Sequence, residues 1–142
     1  MPLVVAQAVK KVYTGGEAAV RALDGVSFTL EHGDFVAVMG PSGCGKSTLL
    51  HVTGAMDRPS SGRVVLDGRD LAALDDRELT RVRRERVGFV FQFFNLLPTL
   101  TLSDNIALPL RLAGGPAHEA TARVRTLAER VGIGHRLEHY PA

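Results

Sequence analysis

The stretch Gly40-Pro41-Ser42-Gly43-Cys44-Gly45-Lys46-Ser47-Thr48 restricts what this chain can fold into more than any other. It has the form G-x-x-x-x-G-K-[ST], with five apolar residues before it, Phe35 to Met39, and apolar positions at helical spacing after it. An apolar run without alternation predicts a strand buried on both faces, as in a parallel sheet. Leu49, Val52 and Met56 predict one face of a helix that starts at Lys46 and ends at Pro59-Ser60-Ser61-Gly62. Strand, glycine-rich turn and helix, in that order, make a phosphate grip. Gly40, Gly43 and Gly45 let the backbone take positive φ and come close to a ligand. Successive N–H groups then form an anion-binding nest, and the helix N-terminus adds the positive end of its dipole. Lys46 supplies a full charge for β- and γ-phosphates, Ser47 a hydroxyl for Mg²⁺, and Thr48 reaches the α-phosphate. The rest of the loop, Ser42 and Cys44 included, is expected to bind cofactor, Cys44 through its backbone.

Around this grip the chain reads as two strands, residues 3–13 and 20–30, joined by a turn at Thr14-Gly15-Gly16-Glu17. RVVLDGRDL reads as a hairpin arm turning at Asp67-Gly68. DDRELTRVRR predicts a polar helix, and Val87 to Phe91 another apolar strand. Beyond Gln92 the pattern turns helical. Thr101 and Asp104 have capping-box spacing, and Pro116 suits the first position of a further helix. Ala120, Val124, Leu127, Ala128 and Val131 predict its apolar stripe, and Gly132 its stop. A division near residue 92 separates a nucleotide-holding core, 1–92, from a helical part, 93–142.

Composition excludes some classes of function. No apolar run reaches the ~20 residues of a membrane span. A net charge of +2 is too small to argue for nucleic acid. Arg81, Arg83, Arg84 and Arg86 form a basic run, but Glu78 and Glu85 break it and no aromatics interleave, so it reads as a solvated helix face. The five histidines show no ligand spacing, and His135 with His139 is not read as a zinc site. The single cysteine cannot form an intramolecular disulfide, which fits a reducing compartment.

Among phosphate-loop proteins, a guanine reader would need an Asn-Lys-x-Asp element, and none occurs. Tyr13 offers stacking instead, worth about 1–3 kcal/mol per base and tolerant of any base. Charge-assisted hydrogen bonds to phosphate contribute ~1.5–3 kcal/mol each, so affinity should come mostly from the phosphates, with weak discrimination between ATP and GTP.

Tyr13, the loop Gly40–Thr48, AMDRPSSGRVVLDGRDL and especially VGFVFQFFNLLPTLTLSDNIALPL resemble the nucleotide-binding subunit of ABC transporters, over essentially the whole chain. FFNLLPTLTLSDNI is most similar to the lipoprotein-release and macrolide-export branch. The resemblance implies an α/β fold: a P-loop NTPase core with an antiparallel β subdomain and the start of an α-helical subdomain. It makes Tyr13 the adenine-stacking aromatic. It makes Gln92 the glutamine that contacts Mg²⁺ and the attacking water, so that Lys46 and Gln92 are the candidate catalytic residues. ATP and Mg²⁺ are the implied ligands. The implied partners are a membrane permease and a second nucleotide-binding subunit, on the cytoplasmic face of a membrane, with no nucleic acid.

Hydrolysis needs an acid for Mg²⁺, a group that positions water, and donors for γ-phosphate charge. The family supplies these from a strand ending in Asp-Glu, a later histidine and a partner's LSGGQ-type loop. Val64-Val65-Leu66-Asp67 ends in an acid, but Gly68 follows and the pair reads as a turn. RLEHYPA resembles the stretch just before the signature loop. The residues present are therefore expected to bind nucleotide without cutting it, as an incomplete domain whose apolar strand at Phe35–Met39 lacks its neighbours. A non-catalytic nucleotide-binding module is the alternative reading.

Overall fold

The computed structural model describes residues 1–15 and 18–141, so Gly16 and Glu17 of the first turn lie outside the described residues. Two compact units follow one another along the chain, Met1–Val87 and Gly88–Ala142.

The first unit is built on a four-stranded antiparallel sheet. Strands β1 (Val4–Tyr13), β2 (Val20–Leu30), β3 (Ser61–Leu66) and β4 (Arg69–Asp70) lie in the order β2-β1-β3-β4. One face carries the core, and its phase is set by irregularities rather than strict alternation. In β1 the buried residues are Val4, Ala6 and Val9, and the step of three spans a bulge at Ala8, φ 47°. A bulge adds one residue to one strand, which returns the next apolar side chain to the same face. The Ala8 N–H, taken out of the ladder, donates to Ser27 Oγ at 2.8 Å. The β3–β4 hairpin turns through Asp67 (φ 48°) and Gly68 (φ 75°), two left-handed residues whose twist suits a two-residue turn. Asp67 pairs with Arg86 at 3.3 Å, a structural use for that acid.

Two helices cover the sheet's core face. Helix α1 (Lys46–Thr53) contributes Val52, and α2 (Asp76–Arg86) contributes Leu79 and Val82. Asp75 and Glu78 form a reciprocal capping box on α2, each side chain accepting from the other's backbone N–H at 2.8 Å. Helix α1 stops earlier than its sequence pattern indicates. Gly54 caps it and Ala55 turns left-handed at φ 59°, so Met56 falls outside the helix and stays exposed. The basic run on α2 is not all solvated either: Arg83 is half-buried and donates to Ala55 O at 2.8 Å.

The two apolar runs expected as strands, Phe35–Met39 and Val87–Phe91, are not strands. Neither pairs with another strand among the described residues, and Phe35 is 99% and Val90 100% exposed. The reason is physical: a strand's N–H and C=O groups need a ladder partner, and apolarity alone supplies none.

In the second unit, α3 (Leu102–Leu112) and α4 (Ala117–Arg130) pack through Ala107, Ala120, Val124 and Ala128. Thr101 caps α3, accepting from the Asp104 N–H at 3.1 Å. Pro116 stands one position earlier than expected, as the N-cap of α4. The stripe on α4 is also narrower than expected: Leu127 and Val131 are exposed, at 38% and 69%. Gly132, φ 75°, does end the helix, donating to Glu129 O while Ile133 donates to Ala128 O.

Candidate functional site

The loop between Met39 and α1 forms one wall of a cleft of about 480 Å³. Ser42, Gly43, Gly45, Lys46, Ser47 and Thr48 line it from the loop side, and Tyr13 closes it from the end of β1. Gly45 stands at the N-cap of α1 with φ 92° and ψ 7°, and a Cβ there would meet Ala22 O at 2.3 Å. No side chain caps α1, and no acidic residue lies in its first turn. The first N–H groups of a helix have no partner within the helix, so this end presents free donors and positive dipole to the cleft.

Lys46 is half-buried, and its ammonium donates to Gly40 O at 2.9 Å and Pro41 O at 2.7 Å, with Cys44 Sγ at 3.7 Å. These are neutral acceptors. A phosphate oxygen accepts the same hydrogen bonds and adds the attraction between two full charges, so a phosphate entering the cleft would outcompete them. Gly40 and Cys44, expected as binding residues, do not line the cleft. Gly40 offers its carbonyl to Lys46, and the exposed Cys44 supports the loop through its N–H, which donates to Pro41 O at 3.4 Å.

Tyr13 is 40% exposed at the far end of the cleft. Its hydroxyl donates to Asp57 Oδ2 at 2.9 Å, and Lys11 Nζ lies 4.9 Å from the ring centroid. Partial burial pushes Asp57 up, but hydrogen bonds from Lys11, Tyr13 and the Arg58 N–H together hold its carboxyl below the usual range. Val20, Arg21 and Ala22 complete the lining, and none was singled out from the sequence. Their signal was the hairpin register, which sets Tyr13 opposite Val20. Gln92 lies in the second unit, exposed, in a bend that precedes α3.

This lining fits a nucleoside triphosphate. Among the described residues it contains no carboxylate, it sets a lysine and an uncapped helix end at one side, and it sets an aromatic ring at the other. Ser47 lines the cleft, and its hydroxyl is of the type that Mg²⁺ takes beside phosphate.

A family model described as ABC transporter matches residues 23–141. The chain belongs to the ABC transporter family. It is 50% identical over 131 residues to an uncharacterized ABC transporter ATP-binding protein of Thermotoga maritima, covering 92% of this chain and 56% of the relative. It is 44% identical to the lipoprotein-releasing system ATP-binding protein LolD 2 of Caulobacter vibrioides, over 99% of this chain and 62% of the relative. It is 45% identical to the macrolide export ATP-binding/permease protein MacB of Marinobacter nauticus, over 99% of this chain and 22% of the relative. Among solved structures, a dimeric ATP-binding cassette in a post-hydrolysis state, bound to ADP and Pi, aligns with a TM-score of 0.89 at 39% identity. That alignment covers 97% of this chain and 61% of the cassette. The chain thus spans less than two thirds of the length of these relatives. The resemblance read from the sequence and the fold class it implied both hold.

Proposed function

We propose that this ABC transporter ATP-binding chain holds MgATP in the cleft, with the triphosphate on the loop Gly40–Thr48 and the base on Tyr13. The observation that carries this reading is a cleft free of carboxylates among the described residues, with Lys46 and an uncapped helix end at one side and an aromatic ring at the other. Bound Mg²⁺ would neutralise phosphate charge, with the Ser47 hydroxyl as its ligand from the loop. Lys46 releases the Gly40 and Pro41 carbonyls and takes phosphate oxygens instead. Gln92 acts from the second unit as the residue that senses occupancy and contributes to hydrolysis in the assembled enzyme. Two such subunits work together on a membrane permease at the cytoplasmic face, in an export system like those named for the relatives. The exposed apolar run after Gln92, which includes Phe93, Phe94, Leu96 and Leu97, is the surface offered to that permease.

The test is calorimetric titration of the full chain with ATP, beside Lys46→Ala. Losing a charge-assisted contact worth ~1.5–3 kcal/mol should weaken binding about 10- to 150-fold. Equal affinity in the two proteins would refute the assignment of the phosphates to this loop.

A further inference from the structure

The end of β1 that carries Tyr13 is fastened to the segment that leaves the phosphate-gripping helix. The Ser60 N–H donates to Lys10 O at 2.8 Å, and the Val12 N–H donates to Ser60 Oγ at 3.0 Å. The Lys11 ammonium donates to Asp57 Oδ1 at 2.6 Å and to Arg58 O at 2.9 Å. Asp57 takes the Tyr13 hydroxyl on its other oxygen at 2.9 Å. The Asp57 N–H donates in turn to His51 O at 3.2 Å, in the last turn of α1. One carboxylate therefore joins the ring to the cation beside it, and the backbone N–H of the same residue holds the helix end.

The pair is not an ordinary surface ion pair. The Lys11 side chain is only 13% exposed, so the pair is screened less by solvent than exposed pairs are. A tyrosine on an otherwise exposed strand end would sample several rotamers, and a stacking base would have to freeze them. Here the hydroxyl is anchored and Lys11 occupies one face of the ring, which leaves the other face for a planar partner.

We propose that Asp57, acting with Lys11, is the positioning residue of the base end of the cleft. It holds the Tyr13 ring ready for a nucleobase and ties that ring to the helix that grips phosphate. The inference rests on the reading of the cleft as a nucleotide site and deepens it.

The experiment compares two ligands on the full chain: ATP, and inorganic tripolyphosphate, which offers phosphates without a base. Tyr13→Phe keeps the ring and removes only its bond to Asp57, whereas Asp57→Ala removes the holds on both ring and lysine. Each variant should lower the ATP-to-tripolyphosphate affinity ratio about fivefold, the size of one net hydrogen bond, and leave tripolyphosphate binding unchanged. The double variant should lose no more than Asp57→Ala alone, because the two residues act through one contact. A wild-type ratio in both single variants overturns the positioning role while the nucleotide site stands. Equal weakening of both ligands in Asp57→Ala also overturns it, since that is what a purely structural role would give. Failure of the wild-type chain to bind either ligand removes the nucleotide reading and this inference with it.

Discussion

Replacing Gly45 by alanine should cost more than replacing Gly43, although both glycines have left-handed backbones. Gly45 has φ 92° and Gly43 has φ 81°. An L-residue in that region costs about 1–2 kcal/mol. Alanine also restricts the unfolded chain, which returns about 0.4–1 kcal/mol in either variant. What differs is the space. A Cβ on Gly43 meets nothing within 4 Å, whereas one on Gly45 meets Ala22 O at 2.3 Å and Leu23 Cδ2 at 3.3 Å. The near atom is backbone on β2, so either the strand or the phosphate loop must move, and overpacking of that kind costs about 1–3 kcal/mol. Gly45→Ala should therefore lose roughly 2–4 kcal/mol in all, and Gly43→Ala about 1 kcal/mol. Urea unfolding of both variants, read from the midpoints at a common slope, measures the difference directly. If the two variants lose the same stability, the close approach of β2 does not constrain the loop, and the steric argument is wrong.

Asn105 organises the loop before α3: its Oδ1 accepts from the Leu97 N–H at 2.8 Å, and its Nδ2 donates to the carbonyls of Leu97, Leu100 and Thr101 at 2.9–3.1 Å. Asn105→Ala should destabilise the second unit by about 1–3 kcal/mol, and Asn105→Asp by more, because a carboxylate would face three carbonyl oxygens. Hydrogen exchange at the Leu97 amide reports this, and unchanged protection in both variants would refute the clamp. Acid gives a further check. Asp57, with its pKa lowered in the fold, adds stability that is full above the ordinary carboxylate range and is lost as pH falls through that range to the folded value. Between about pH 5 and 3 the wild type should lose more stability than Asp57→Asn, and parallel curves would count against the Asp57 network.

The parts of the site that were legible in the sequence are those whose chemistry is local. The loop's spacing and its helix lie within a few residues of one another, and so do the Thr101 cap and the Gly132 stop. What failed depended on something distant. Phe35–Met39 and Val87–Phe91 have strand composition, yet no ladder forms on them among the described residues. Met56 keeps the helical spacing of Leu49 and Val52, but Gly54 and a left-handed Ala55 end the helix first. Val131 keeps the stripe's spacing and is exposed because it is the C-cap, one residue past the last helical residue, Arg130.

The sequence alone determined that this chain carries a loop of the form G-x-x-x-x-G-K-[ST], an aromatic that is a candidate for stacking, and the marks of the ABC transporter family. A loop's anion chemistry is written in consecutive residues, and the backbone has few ways to satisfy it. Only the tertiary structure decided where the aromatic stands relative to the grip. Bulges in β1 and β2 set which residues face the core, and the register sets Tyr13 beside Val20. Asp57, 44 residues away in sequence, anchors its hydroxyl. Such a contact depends on strand pairing and on the path of the chain after α1. No local pattern encodes either, because both come from packing between segments that are far apart along the chain.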